Sequence, residues 1–179
     1  MKRMQTGNLF RRVRMLSFSV LLTLLVASLP VRAQTYGVVH NFAGAPTDGA
    51  FGIGELVQDT ERNLYGTSGA GGANSDTVHP SGDGTVFKLS PTGSVTVLYS
   101  FAAGADGASP GAGLFRDPAG NLYGTAFEGG QFTGPCSVTG CGVVFKLDTN
   151  NILVVLHTFT GGSDGGVVHP FKLDTWGRV

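Results

Sequence analysis

The sequence has few charged residues and no long hydrophobic run. Charged residues make up 13% of the 179 positions, and the lysines and arginines after residue 33 are scattered singly. A basic stripe that could neutralise phosphates is therefore lacking, which argues against a nucleic-acid partner. The uncharged apolar run over 15–29 would extend about 22 Å as a helix, less than the roughly 30 Å of a bilayer core. We expect no membrane span in the mature chain.

Familiar catalytic and cofactor motifs are also lacking. The Gly-x-Ser-x-Gly spacing occurs at 107–111 and 161–165, but in predicted loops and not at the strand-to-helix turn that the catalytic motif needs. The glycine-rich segment 69–74 fits neither phosphate-binding pattern. His79 and His169 each precede a proline, with no carboxylate or second histidine at ligand spacing, so we expect solvated loop histidines rather than zinc ligands. The sequence predicts no catalytic residue and no cofactor.

The N-terminus has the three-part organisation of a secretory signal. Basic residues at 2, 3, 11, 12 and 14 precede the apolar run, and Val31-Arg32-Ala33 suits cleavage before Gln34. Six of the twelve basic residues and none of the twelve acidic residues lie in 1–33, so the remaining chain carries a net charge of −6. We therefore predict a secreted, cell-surface or periplasmic protein.

Only two cysteines are present, Cys136 and Cys141. In an exported protein a close, even pair predicts a disulfide, and closing so small a loop stabilises by about 2 kcal/mol in the chain-entropy model. A Cys-x-x-Cys spacing, typical of redox or metal sites, does not occur.

A block of about 58 residues occurs twice. Asn-Leu-Tyr-Gly-Thr at 63–67 returns at 121–125, Val-Phe-Lys-Leu at 86–89 returns at 144–147, and Asp-Gly recurs at 48, 106 and 164. A fixed period of this size indicates a repeat architecture, in which each unit buries its apolar faces against its neighbours.

Each repeat contains short segments in which apolar and other residues alternate, typical of half-buried strands. We expect strands at 53–58, 63–68, 84–90 and 95–101, and again at 112–117, 121–126, 142–148 and 152–159; the alternation at 36–42 predicts one more. Four antiparallel strands per unit predict an all-β, propeller-like array of about two and a half blades after a signal helix, with a β-solenoid as the alternative.

The predicted organisation follows from these strands. It comprises a signal peptide (1–33), the last strand of an incomplete blade (34–52), two blades (53–110 and 111–169) and the start of a truncated third repeat (170–179). Two full blades cannot close a ring, because a closed propeller needs about four to eight. We therefore expect a fragment of a longer array, or short chains that assemble together.

The three Asp-Gly loops are the best candidates for a functional site. Asp48, Asp106 and Asp164 are the metal candidates, since calcium favours carboxylate and carbonyl oxygens; the competing explanation is that Asp and Gly simply form turns. His40, Tyr99 and His157 occupy equivalent strand positions, and a position that accepts Tyr for His predicts aromatic packing rather than metal ligation.

The motifs resemble a known family. Asp-x-x-Gly-Asn-Leu-Tyr-Gly-Thr (117–125), Gly-x-Val-Phe-Lys-Leu (142–147) and Val-Leu-His-Thr-Phe (155–159) are similar to the GloVer tandem repeat of exported bacterial proteins. The first copy departs from this pattern with Arg62 in place of Gly120, which places the geometry of its turn in question. The resemblance implies a secreted or surface-attached repeat protein and carries over no biochemical activity.

Two functions follow as hypotheses. The first is a non-enzymatic binding or structural module whose partner is a surface glycan or protein. The alternative is part of a propeller-type enzyme that cleaves carbohydrates or lactones and whose active-site blades are missing. Such an enzyme needs a cluster of His, Arg, Tyr or Glu that is not repeated, and the sequence offers no sign of one.

Overall fold

A computed structural model describes residues 34–52 and 54–166, and within this part of the chain the fold is all-β. The predicted signal peptide and the predicted third repeat (170–179) lie outside the described residues. No helix among the described residues has the length and apolarity needed to span a bilayer. The strands form two open antiparallel sheets, consistent with a partial propeller-like array.

The first sheet is built from five strands: β1 (Gly49–Gly52), β2 (Val57–Gln58), β3 (Leu64–Gly71), β4 (Thr85–Leu89) and β5 (Val95–Ser100). β1 and β2 pair with different parts of β3, and β4 and β5 follow in order. The β4–β5 turn is tight: Gly93 has φ +87° and donates its N–H to the carbonyl of Ser90 at 3.0 Å.

The second sheet repeats the same order with β6 (Phe115–Arg116), β7 (Leu122–Ala126), β8 (Val143–Leu147) and β9 (Leu153–Thr158). A short 3₁₀ turn, Gly134–Cys136, lies in the β7–β8 loop. Every β7–β8 pair has its counterpart 58 residues earlier in β3–β4: Gly124 faces Phe145 as Gly66 faces Phe87. The two repeats therefore have the same pairing register.

The strand glycines Gly66 and Gly124 make room for an aromatic ring. A Cβ on Gly66 would lie 2.8 Å from the ring of Phe87, and one on Gly124 would lie 2.7 Å from the ring of Phe145. The recurrence thus reflects close approach by the cross-strand phenylalanine, and the β3–β4 and β7–β8 pairing is regular at both glycines.

The core lies between the two sheets. Val86 and Phe101 of the first repeat pack with β7 and β8 residues of the second. The rings of Phe101 and Phe145 meet edge to face, with centroids 5.2 Å apart. Thr67 adds a buried hydrogen bond from its hydroxyl to the carbonyl of Ala112 at 2.8 Å. The repeats are therefore joined by a shared apolar core.

The predicted strand at 36–42 is absent, and the Asp-Gly loop instead contributes β1 at 49–52. A strand needs a partner, and β5 and β9 pair with strands that precede them in their own repeat. No such strand pairs with 36–42 among the described residues. Phe42 nevertheless keeps its aromatic contact, with its ring 5.0 Å from that of Phe87.

The Arg62 departure does not change the turn. Arg62 has φ +67° where Gly120 has φ +93°. Each donates its N–H to the backbone carbonyl of the aspartate three residues earlier, Asp59 and Asp117 respectively. Arginine therefore adopts the left-handed conformation that favours glycine, at a cost of roughly 1–2 kcal/mol.

We expect Phe101→Ala to destabilise the chain by about 3–5 kcal/mol, because it removes a fully buried ring between the repeats. Urea denaturation measures the change. Phe51→Ala is the control, since Phe51 is 72% exposed and its loss should cost less than about 0.5 kcal/mol. A loss of under about 1 kcal/mol for Phe101→Ala would contradict the shared core.

Candidate functional site

The aspartate side chain of each Asp-Gly pair accepts hydrogen bonds from residues of its own loop. Asp48 accepts the backbone N–H of Ala43 and Gly44 at 2.8 and 3.0 Å. Asp106 accepts those of Ala102 and Gly104 at 3.0 and 3.2 Å. Asp164 accepts the N–H of Thr160 at 3.1 Å and its hydroxyl at 2.6 Å. These bonds explain the recurrence of the aspartates as turn formation, and calcium binding there stays a prediction.

The histidine or tyrosine at the equivalent strand positions contacts the same aspartate. His40 Nε2 lies 2.9 Å from Asp48 Oδ2, and the Tyr99 hydroxyl donates to Asp106 Oδ2 at 3.0 Å. His157 Nε2 lies 3.4 Å from an oxygen of Asp164. Both side-chain types present a polar hydrogen to a carboxylate, which explains why Tyr replaces His. The sequence pattern did not predict this pairing, although the histidine or tyrosine precedes the aspartate by seven or eight residues each time.

Aromatic packing at these positions is also observed, as predicted. The rings of the pairs His40–Phe42, Tyr99–Phe101 and His157–Phe159 meet edge to face with centroids 5.0, 5.3 and 4.7 Å apart. Burial and the negative charge of Asp106 together raise the pKa of Tyr99 to about 12, so its hydroxyl remains a donor at neutral pH.

A second recurrent aspartate holds the turn before β3 and β7. Asp59 accepts the backbone N–H of Asn63, the Asn63 side-chain amide and the Tyr65 hydroxyl at 2.8, 2.8 and 3.0 Å. Asp117 repeats all three bonds with Asn121 and Tyr123. The family-like Asp-x-x-x-Asn-Leu-Tyr motif is therefore a structural device that fixes a turn.

One polar cluster is not repeated. His79 Nε2 forms a short hydrogen bond with Glu128 Oε2. On the other side of the ring, Nδ1 lies 3.0 Å from Asp83 Oδ1 and 3.5 Å from Asp76 Oδ1. The Asp83 side chain is 2% exposed. His79 Nδ1 and Asp83 Oδ1 are both buried without a hydrogen-bond partner, although they lie close together. We call Asp76, His79, Asp83 and Glu128 the His79 cluster.

The chain brings this cluster together from two repeats. Asp76, His79 and Asp83 belong to the β3–β4 loop, and Asp76 Oδ1 accepts the backbone N–H groups of Val78 and His79. Glu128 follows β7 and pairs with Ala108 through backbone hydrogen bonds. Its position beside His79 therefore depends on how the two sheets pack.

The electrostatics of the His79 cluster are strongly coupled. Burial by itself would lower the pKa of His79, but the hydrogen bond to Glu128 and the charges of Glu128, Asp83 and Asp76 outweigh it and raise that pKa. Burial raises the pKa of Asp83, and the charge of Asp76 adds to the effect. The cluster thus favours a positive charge on or beside the imidazole.

The prediction that His79 is a solvated histidine without a carboxylate at ligand spacing is wrong. Asp76 and Asp83 lie three residues before and four residues after it, a spacing visible in the sequence. Glu128 is contributed by the other repeat, and no local pattern reveals it. The expectation that no unrepeated cluster exists is wrong for the same reason. His169 lies outside the described residues.

The second repeat has a disulfide in the corresponding loop. Cys136 and Cys141 are bonded, and 58 residues earlier stand Val78 and Asp83. The β7–β8 loop is therefore closed covalently, whereas the polar side chains of the His79 cluster converge in the β3–β4 loop. The disulfide is compatible with a location outside the reducing cytosol.

The fold and its recurrent turns define a tandem β-repeat protein. The Gloeobacter/Verrucomicrobia repeat, as a family model, matches residues 25–173, and the chain belongs to that family. This confirms the resemblance drawn from the motifs. A search of curated proteins finds no match to the chain.

We expect Tyr99→Phe to destabilise the chain by about 1 kcal/mol, because Asp106 loses a hydrogen-bond donor. Tyr99→His should recover part of this loss, as histidine fills the equivalent position beside Asp48. Tyr36→Phe, at a 92% exposed tyrosine, is the control. Thermal denaturation measures all three, and a Tyr99→His variant less stable than Tyr99→Phe would contradict the pairing.

The turn aspartates predict a dependence of stability on pH. Hydrogen bonds from Asn63, opposed by partial burial, lower the pKa of Asp59 from 3.8 to about 2. Because the folded pKa is depressed, its stabilisation is present above about pH 4 and is lost as the pH falls towards 2. Asp59→Asn should therefore lower the melting temperature at pH 6, by a margin that shrinks below pH 4. A margin independent of pH would contradict this.

Proposed function

We propose that the chain is an exported, non-enzymatic module that binds a surface glycan or protein. The contacts would be made by the β3–β4 loop of the first repeat and the β7–β8 loop of the second. The proposal rests on a difference between the residues that recur in both repeats and the loops that do not. Recurrent residues such as Asp59, Asp117, Asp106 and Tyr99 hold turns, whereas the β3–β4 and β7–β8 loops differ between the repeats. Binding residues are found disproportionately on loops held by a rigid scaffold.

The side chains on these loops suit contact with a partner. Val78 on the first loop is 55% exposed, and Phe132 and Val138 on the second are 45% and 80% exposed. Large apolar side chains that the fold leaves in water are available to be buried by a ligand, and an exposed phenylalanine ring can pack on the face of a sugar. The net charge of −6 after residue 33 favours neutral or basic partners.

An enzymatic role is the second candidate, favoured by the His79 cluster. A histidine between carboxylates is an arrangement used for general acid–base catalysis. A cleaving enzyme would hydrolyse members of a panel of polysaccharides and lactones, and His79→Gln would abolish that activity. The non-enzymatic proposal expects no turnover from either protein.

The test uses the purified exported chain on a glycan array and in pull-downs from cell envelopes. We expect a ligand whose binding falls at least about tenfold in a Phe132→Ala, Val138→Ser variant, a loss of about 1.4 kcal/mol. Phe51→Ala, which removes an exposed ring outside both loops, should bind normally. The proposal is contradicted by failure to find any ligand, or by equal binding of the loop variant and the control.

A further inference from the structure

We propose that Asp76, His79 and Asp83 bind one divalent transition-metal ion, Zn²⁺ or Mn²⁺, with Glu128 orienting the histidine. The site goes beyond the proposed binding function, because it lies within the scaffold that presents the loops. It uses one nitrogen and two carboxylate groups, a donor set suited to these ions.

The protons of the His79 cluster leave a position for a cation. An ionised Glu128 can only accept a hydrogen bond, so His79 Nε2 carries the proton that joins them. In the neutral imidazole, Nδ1 then carries a lone pair, and the carboxylate oxygen of Asp83 lies 3.0 Å from this nitrogen. Neither atom has a hydrogen-bond partner, so a proton on Nδ1 would not form a well-aligned bond with that oxygen.

Burial makes this arrangement costly unless a cation is present. The Asp83 side chain is 2% exposed and the His79 side chain is 15% exposed, so water has little access to the two unpartnered atoms. A buried carboxylate oxygen without a hydrogen bond is disfavoured, and coordination to a metal is one of the ways in which proteins satisfy it. Asp83 therefore supplies an observation independent of the clustering of charges.

The distances suit ligation of a small ion. Two ligand atoms that each lie about 2.1 Å from one ion, at angles of about 90–110°, are roughly 3.0–3.5 Å apart. His79 Nδ1 lies 3.0 Å from Asp83 Oδ1 and 3.5 Å from Asp76 Oδ1. One atom from each of the three side chains lies within 4.8 Å of the others.

Glu128 completes the arrangement from the other repeat. A histidine that ligates a metal through one ring nitrogen commonly donates the N–H of the other to a carboxylate, which fixes the ring and raises its basicity. Here His79 Nε2 donates to Glu128, whose backbone is held by hydrogen bonds with Ala108. The ion would thereby connect the β3–β4 loop of one repeat to the start of the next.

The comparison of the two loops gives the site a structural role. Asp83 stands where the second repeat has Cys141, half of the disulfide that closes the β7–β8 loop. We infer that the metal closes the first loop as the disulfide closes the second. Loop closure by a metal and by a disulfide both stabilise the folded chain against a more extended unfolded state.

The experiment titrates Zn²⁺ and Mn²⁺ into the full exported chain after treatment with EDTA, using calorimetry and thermal denaturation. We expect one ion per chain and a melting temperature that rises with metal concentration. Glu128→Gln should weaken binding about 10–100-fold, and His79→Gln and Asp83→Asn should weaken it further. Both cysteines are in the disulfide and do not compete for the ion.

The matched control is His157→Gln, which removes a histidine beside the single carboxylate of Asp164 and should leave metal binding unchanged. Circular dichroism establishes that each variant is folded. If Asp83→Asn does not fold, the parent still decides the outcome, because the site requires its melting temperature to rise with the metal. Absence of that rise, or unchanged binding in folded His79→Gln and Asp83→Asn variants, overturns the proposal.

Discussion

One apolar face of the first sheet is buried against the second sheet, and the rest of the structure depends on this packing. Leu98 of β5 packs against the core shared with the second repeat. Its equivalent 58 residues later, Leu156 of β9, is 53% exposed. Sequence and strand pairing are alike in the two repeats, so the difference in burial arises from the neighbour that packs on the first sheet.

Packing sheet on sheet requires turns of fixed geometry, and aspartates provide them. Asp59 and Asp117 use both carboxylate oxygens to hold an asparagine and a tyrosine. Asp48 and Asp106 close a second loop and accept from a histidine or a tyrosine. Because these interactions are satisfied within each repeat, they define a unit that can be duplicated. The β3–β4 and β7–β8 loops are left to differ.

The period and the alternation of residues predicted the sheets, the strand order and the loop that contains the disulfide, because these depend on local pattern. The prediction of a strand at 36–42 was wrong, because a strand needs a pairing partner and the alternation of residues does not reveal one. The paired roles of Asp106 and Tyr99 were accessible from their common period. Asp76 and Asp83 were visible beside His79, but Glu128 enters the cluster only through packing between repeats. Interactions between residues of different repeats are therefore the part that the sequence pattern does not predict.

Native-state hydrogen exchange on the full chain tests most directly whether the two sheets form one cooperative unit. We expect the slowest amides of β4 and β8 to exchange through the same opening, with equal free energies and equal dependence on denaturant. Exchange of the β4 amides through an opening that leaves β8 protected, or the reverse, would contradict a shared core between the repeats.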